Sequence, residues 1–301
     1  LLYHVCRVIC RSEAGDRVAK VRIITDATAY LEPELIAQYR ITVLPVEIQL
    51  GDARFLIAPG EDTKPLFERM ASGMARPTTA SIPARYFEEA YRELCRETDD
   101  VLVILSSSKL STGYAEAQAA ARPFLGRCRI TILDSMSASW GLGLIVEAAS
   151  RSADEGHSLD EIVRRVRGML PHIYIVFFVD RLDYLEGGGR IGIAQALLGT
   201  MLRIKPLLLM EDGEILPMEK VRTRIMALEK LASFVAEFAA LQQVVILRSP
   251  LSTNNGELVD ELREQLSLAL PDWQFPVIEY DPVLACHLGP EALGVVVYEQ
   301  F

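Results

Sequence analysis

The sequence predicts an α/β protein of two domains: an N-terminal domain with a mostly parallel sheet flanked by helices, and a C-terminal mixed α/β domain with an antiparallel hairpin. Three observations predict it. From Val21 onward, short β-branched runs alternate with amphipathic helical stretches, the pattern of strands joined by helical crossovers. The run VLVIL, Val101 to Leu105, is apolar at every position, which suits a central strand covered on both faces. Asp212-Gly213 stands between the apolar runs IKPLLLM and EILPM and is a hairpin signal in the second half.

Taken in order, residues 1–20 lack an initiator Met and are expected to be a poorly ordered N-terminal extension. VRIIT, ITVLPVEI, VLVIL and RITIL read as strands, being β-branched and bounded by turn residues. Helices are expected from about Ser81 to Arg96 and from Ser111 to Phe124, where apolar residues recur at helical spacing. A helix near Leu159 to Leu170 closes the first domain, residues 21–168. The second domain, 169–301, opens with the strand IYIVFFV. A helical turn at RLDYLE, a Gly-rich turn, a short helix around Ala194 to Leu198 and the hairpin follow. A helix from about Arg222 to Ala240, the strand VVILR, a helix near Glu257 to Leu268 and the strands FPVIE and GVVVY complete it.

With 301 residues, 50% of them hydrophobic, the chain can bury a sizeable core. Its net charge of −10 opposes nucleic-acid phosphates and anionic membrane surfaces, so no nucleic-acid role and at most transient membrane contact are expected. Five cysteines without CxxC spacing fit thiols kept reduced in a cytoplasm. His4, Cys6 and Cys10 crowd together in the extension, but no metal is predicted. The opening LLYHVCRVIC is too short to span a bilayer and lacks a basic leader, and no other segment approaches an 18-residue apolar run.

Several segments carry chemistry. Gly187, Gly189 and Gly192 have GxGxxG spacing, but no strand leads directly into them, so a dinucleotide is not expected. The Gly run followed by Arg190 still makes an anion site, because free N–H groups and a guanidinium both favour negative charge. SSSKLSTGY follows VLVIL and puts Ser107, Ser108, Ser111 and Thr112 at the carboxyl end of a parallel strand, where ligands of open α/β sheets bind. The bland reading of Ser111 is a helix cap. A serine hydrolase would need a G-x-S-x-G elbow, which is absent, and His287 in CHLGPEALG reads as a turn residue when taken alone.

Together, TDATAYL, RPTTASIPARYF, LSSSKLSTGY, LDSMSASWG, YLEGGGRI, IKPLLLMEDG, KVRTR and HLGPEALG, in this order, resemble the DegV family over almost all of residues 21–301. The resemblance implies a fatty acid held between two domains, its carboxylate at polar loops and its tail in the second domain. It also implies a partner, the catalytic subunit of a fatty-acid kinase, which phosphorylates the bound carboxylate, this chain having no catalytic centre and no cofactor of its own. By motif, the carboxylate contacts fall on Thr79 and Ser111, with Thr28, Ser107 and Ser108 in the same loops. Arg190, Arg222 and His287 match family positions near the head group or in phosphoryl transfer. Ala27 replaces a family Ser, Glu186 a Lys and Glu291 a Gly; the last two fall near Arg190 and His287, where a partner would dock. A fatty-acid-binding or transport protein without a kinase, a phosphate-ligand enzyme and a hydrolase are the competing readings.

Overall fold

The structure is a computed structural model that describes residues 21–73, 75–195, 204–251 and 255–300. The expected N-terminal extension, with His4, Cys6 and Cys10, lies outside the described residues, as does most of the short helix expected at Ala194 to Leu198.

In chain order the first half consists of β1 (Val21–Asp26), α1 (Pro33–Tyr39), β2 (Thr42–Leu44), β3 (Val46–Leu50), β4 (Ala53–Ile57), α2 (Lys64–Ala71), β5 (Pro77–Thr79), α3 (Ala84–Leu94), β6 (Asp100–Leu105), α4 (Gly113–Ala121), β7 (Arg129–Asp134), α5 (Ser139–Asp154) and α6 (Leu159–Met169). A sheet of order β2-β1-β6-β7 is parallel throughout. The all-apolar run is β6, an inner strand with every residue buried. Because side chains alternate across a strand, Val101, Val103 and Leu105 face α3 and α4 through Phe87, Tyr91, Leu94 and Ala117. Leu102 and Ile104 face Leu142, Ile145, Val146, Ile162 and Val166 of α5 and α6.

The run ITVLPVEI is not one strand. Pro45 interrupts it, since proline has no N–H for a ladder. β2 stays in the parallel sheet, while β3 joins an antiparallel sheet of order β4-β3-β5. The register there sets Ile48 opposite Thr79. The helix α5 carries no amphipathic signature in its first turns because Gly141 and Gly143 occupy them; a Cβ at Gly143 would run into the Tyr30 carbonyl.

The second half consists of β8 (Ile173–Phe178), α7 (Asp183–Gly187), β9 (Lys205–Glu211), β10 (Glu214–Val221), α8 (Arg224–Ala236), β11 (Leu241–Arg248), α9 (Asn255–Ala269), β12 (Val277–Glu279), α10 (Pro282–Leu288) and β13 (Leu293–Glu299). Its mixed sheet has the order β10-β9-β8-β13-β11-β12, antiparallel except for the β11–β12 pair. β9 and β10 turn through Asp212 (φ 49°) and Gly213 (φ 80°), the positive pair that a two-residue hairpin of matching twist requires. Helices α8 and α9 cover one face, and the other face joins the core of the first half. α8 is shorter than the sequence suggests and starts after Arg222, with Thr223 capping Met226 N. His287 is not a turn residue: it stands in the last turn of α10, whose start at Asp281-Pro282 is a cap followed by proline at the first helical position. No helix of the described residues is long and apolar enough to cross a membrane.

Candidate functional site

Four of the expected side chains converge where the loop after β6 meets the end of β5, the Gly run after α7 and the end of α10. Thr79 Oγ1 lies 3.1 Å from His287 Nε2. His287 Nδ1 is buried with no hydrogen-bond partner among the described residues and faces Gly188, where a Cβ would collide with the ring. Burial, and then the nearby charge of Arg190, bring the His287 pKa down to about 4, so the ring is neutral at physiological pH. Arg190 donates from Nε to the Leu110 carbonyl at 2.9 Å and from Nη1 to the Gly188 carbonyl. Burial lowers its pKa, and no carboxylate among the described residues faces it. A half-buried guanidinium without a counter-charge is a standing attraction for an anion.

Ser111 follows Leu110 directly. Its Oγ accepts from Gly113 N at 3.2 Å, a local bond to the first residue of α4, whose N-cap position is Thr112 without a side-chain cap. A hydroxyl still has one proton to donate, and the one on Ser111 is committed to no acceptor among the described residues. Thr112 Oγ1 donates to Ser81 Oγ at 2.7 Å and ties this loop to the one after β5.

The other four candidates sit apart. Ser107 is fully buried and donates from Oγ to the Gly213 carbonyl at 2.6 Å, docking the β9–β10 hairpin on the loop. Its proton is thereby spent. Ser108 is exposed, and its N–H points at the Asp134 carboxylate. The Thr28 hydroxyl donates to Asp26, whose other oxygen accepts from Ser106 N and Oγ, both at 3.3 Å. Arg222 is exposed on the approach to α8 and takes part in none of these bonds. The ion network at that end belongs instead to Arg224, which pairs with Asp180 and Glu291, Lys205 joining Asp180 at 3.0 Å.

Sequence reasoning missed Asp281. One oxygen caps α10 by accepting from Val283 N at 2.8 Å and Leu284 N at 3.0 Å, and the other is buried without a hydrogen-bond partner among the described residues. Burial, reinforced by the charge of Asp26, pushes its pKa up to about 7. The Asp-Pro pair ahead of an apolar stretch was the available signal.

Beside the polar cluster runs a narrow apolar cleft of about 50 Å³ between the two halves, lined by Leu110 from the first and by Ile175, Phe177, Met210, Leu284 and Leu288 from the second. Leu110 and Leu288 line the cleft and adjoin Ser111 and His287 in the chain, which puts the cleft next to the hydroxyl–imidazole–guanidinium cluster. The arrangement suits a molecule with a long apolar body and one anionic end. No cluster of potential metal ligands exists among the described residues.

The model of the DegV family matches residues 20–300. A DegV domain-containing protein of Streptomyces coelicolor is 36% identical over 281 residues, 92% of this chain and 98% of that protein. The structure of a DegV family protein from Thermus thermophilus, described for its fatty-acid binding, is 30% identical with a TM-score of 0.81 and covers 93% of this chain and 100% of its own. That of DegV from Bacillus subtilis, a fatty-acid-binding protein, is 26% identical with a TM-score of 0.81 and covers 94% of this chain and 100% of its own.

Proposed function

This chain belongs to the DegV family, and from that premise we propose that it binds a long-chain fatty acid between two domains, 21–168 and 169–301, and presents the carboxylate to the catalytic subunit of a fatty-acid kinase. The observation that supports the reading is an apolar cleft lined by Leu110 and Leu288, the chain neighbours of Ser111 and His287, beside the cluster of Thr79, Ser111, Arg190 and His287. A tail of roughly fourteen methylenes, at about 0.8 kcal/mol each, offers on the order of 11 kcal/mol before the ordering costs of association. Hydrogen bonds to a charged head group add about 1.5 to 3 kcal/mol each. Affinity therefore resides in the tail and orientation in the head group.

With the His287 proton on Nε2, the ring donates to Thr79 Oγ1 and leaves the Thr79 proton free for the carboxylate. Ser111 supplies a second donor and Arg190 the charge. The cleft holds no more than a few water volumes, so the tail enters by parting its walls, where the unbranched Met210 yields most easily. Phosphorylation would concentrate negative charge at the head group, and Arg190 and the exposed Arg222 are the cations offered to it and to the partner.

Native mass spectrometry and organic extraction of the purified protein, with a lipid titration of the delipidated form, test the binding. One acyl chain per protein is expected, of about 14 to 18 carbons as the resemblance to the DegV family implies. No acyl chain in the extract and no saturable binding would end the proposal. Acyl-phosphate formation with a cognate kinase subunit and ATP tests the coupling separately, Arg222→Ala being expected to slow turnover while leaving lipid affinity unchanged.

A further inference from the structure

Two glycines let α7 and its Gly run close on the end of α10, and each receives a ring from the opposite segment. A Cβ at Gly188 would run into Nδ1 of His287 and stand 3.0 Å from its Cε1. A Cβ at Gly289, two residues beyond His287, would stand 2.7 Å from Cδ2, 2.9 Å from Cε2 and 3.1 Å from Cγ of Tyr184. His287 of α10 therefore rests on Gly188, and Tyr184 of α7 rests on Gly289, at a closeness that only glycine permits.

The two contacts are rigidly joined through the backbone. Gly188 N donates to the Tyr184 carbonyl at 3.0 Å, Arg190 N to the Leu185 carbonyl at 2.9 Å, and Arg190 Nη1 to the Gly188 carbonyl. On the facing side Gly289 N donates to the Ala285 carbonyl at 3.0 Å, and the Gly289 carbonyl accepts from the Tyr280 hydroxyl at 3.0 Å. Asp183, next to Tyr184, is tied to the first half by Arg76, which donates to its carbonyl at 3.2 Å and pairs with its carboxylate at 2.9 Å.

We propose that Tyr184 is a positioning residue for the head-group cluster: seated on Gly289, its ring sets the depth at which Gly188 meets His287, and so holds the imidazole against Thr79 and Arg190 against Leu110. The inference rests on the fatty-acid reading above and deepens it. Tyr184 acts through Gly188 and His287, as a supporting residue does for a binding group whose placement must be exact. The contact is made by ring carbons, so the phenolic oxygen is not required. Without the ring, the end of α10 settles toward α7, His287 leaves Gly188, and water reaches Nδ1.

The test follows the His287 ring titration by proton NMR in the delipidated protein, assigned against His287→Gln, for Tyr184→Ala and Tyr184→Phe. Melting and a fatty-acid titration are recorded on the same samples. In Tyr184→Ala, His287 is expected to titrate above about 5, up from about 4 and toward the ordinary 6.5, because burial is the main depressing cause and Arg190 is the charge beside it. The fatty-acid dissociation constant should rise roughly tenfold, the worth of one hydrogen bond to a charged group. Tyr184→Phe should match the parent in both. A His287 titration identical in the parent and Tyr184→Ala, or a Tyr184→Phe variant that behaves like Tyr184→Ala, would overturn the inference. Tyr184→Leu carries the same expectation should the alanine variant not fold, and a parent-like titration there overturns it equally. Failure of the parent to bind fatty acid would instead sink the proposed function, and with it the head-group role.

Discussion

Thr79 and His287, 208 residues apart in the chain, share a 3.1 Å hydrogen bond that joins the edge strand of a three-stranded sheet to the last turn of α10. Replacing Thr79 with Val keeps the shape and removes the hydroxyl. Fatty-acid affinity is expected to fall roughly tenfold to a hundredfold, since one bond to a charged group is worth about 1.5 to 3 kcal/mol. Isothermal titration of the delipidated variant measures this, and an unchanged dissociation constant would remove Thr79 from the head-group site.

The proposal gives the Ser111 hydroxyl a second job beside its bond from Gly113 N. Ser111→Ala should cost up to about 1 kcal/mol of stability through the lost hydrogen bond from Gly113 N. It should independently weaken binding by roughly tenfold or more. Paired melting and titration distinguish the two effects, and a stability loss with full affinity would leave Ser111 with the local bond alone.

The His287 pKa is depressed in the fold, to about 4 from an ordinary 6.5. The stability this contributes is complete above pH 6.5 and is lost as pH falls through 4, reaching about 3 kcal/mol when the ring is fully protonated. His287→Gln should flatten that part of the acid limb. Chemical denaturation at pH 7.5 and pH 4.5 checks it, and an equal pH dependence in both proteins would show that the ring ionises freely.

Asp281 behaves in the opposite sense, with its pKa raised to about 7. Its favourable contribution is complete below the unfolded carboxylate value and disappears as pH rises through 7. Asp281→Asn retains the oxygen that caps α10 and cannot ionise beside Asp26. Relative to the parent, the variant should gain on the order of 2 kcal/mol between pH 5 and pH 8. Melting across that interval reads the difference, and parallel curves would place the Asp281 charge in solvent.

The parts of the fold legible in the sequence are those written in local pattern. The apolar run at Val101–Leu105 could only be an inner strand, and Asp212-Gly213 supplies the two positive φ values its hairpin needs. The start of α5 is written in glycines whose purpose, close approach to Tyr30, exists only in three dimensions. Likewise the motifs marked Thr79, Ser111, Arg190 and His287, but no spacing in the chain announces that they meet. Ser107 shows the converse: a hydroxyl beside the ligand loop by sequence, it is occupied in holding Gly213. Arg222 and Arg224, two residues apart, divide into an exposed side chain and a member of a half-buried ion network, a distinction set by Asp180 from another strand's end.

The break at Pro45 has a consequence for how this chain tolerates change over generations. Leu44 is paired with Asp26, which holds Thr28 and Ser106, and Ile48 is paired with Thr79. The two sheets thus take their alignment from a single short stretch of backbone, as two gears do from one shaft. Insertions between Gly60 and Thr63, ahead of α2, lengthen a connection and leave both pairings intact. A single residue gained or lost between Leu44 and Ile48 would put Glu47 or Gln49 in the place of the buried Ile48 opposite Thr79, so drift in length should be accepted in the first segment and purged from the second.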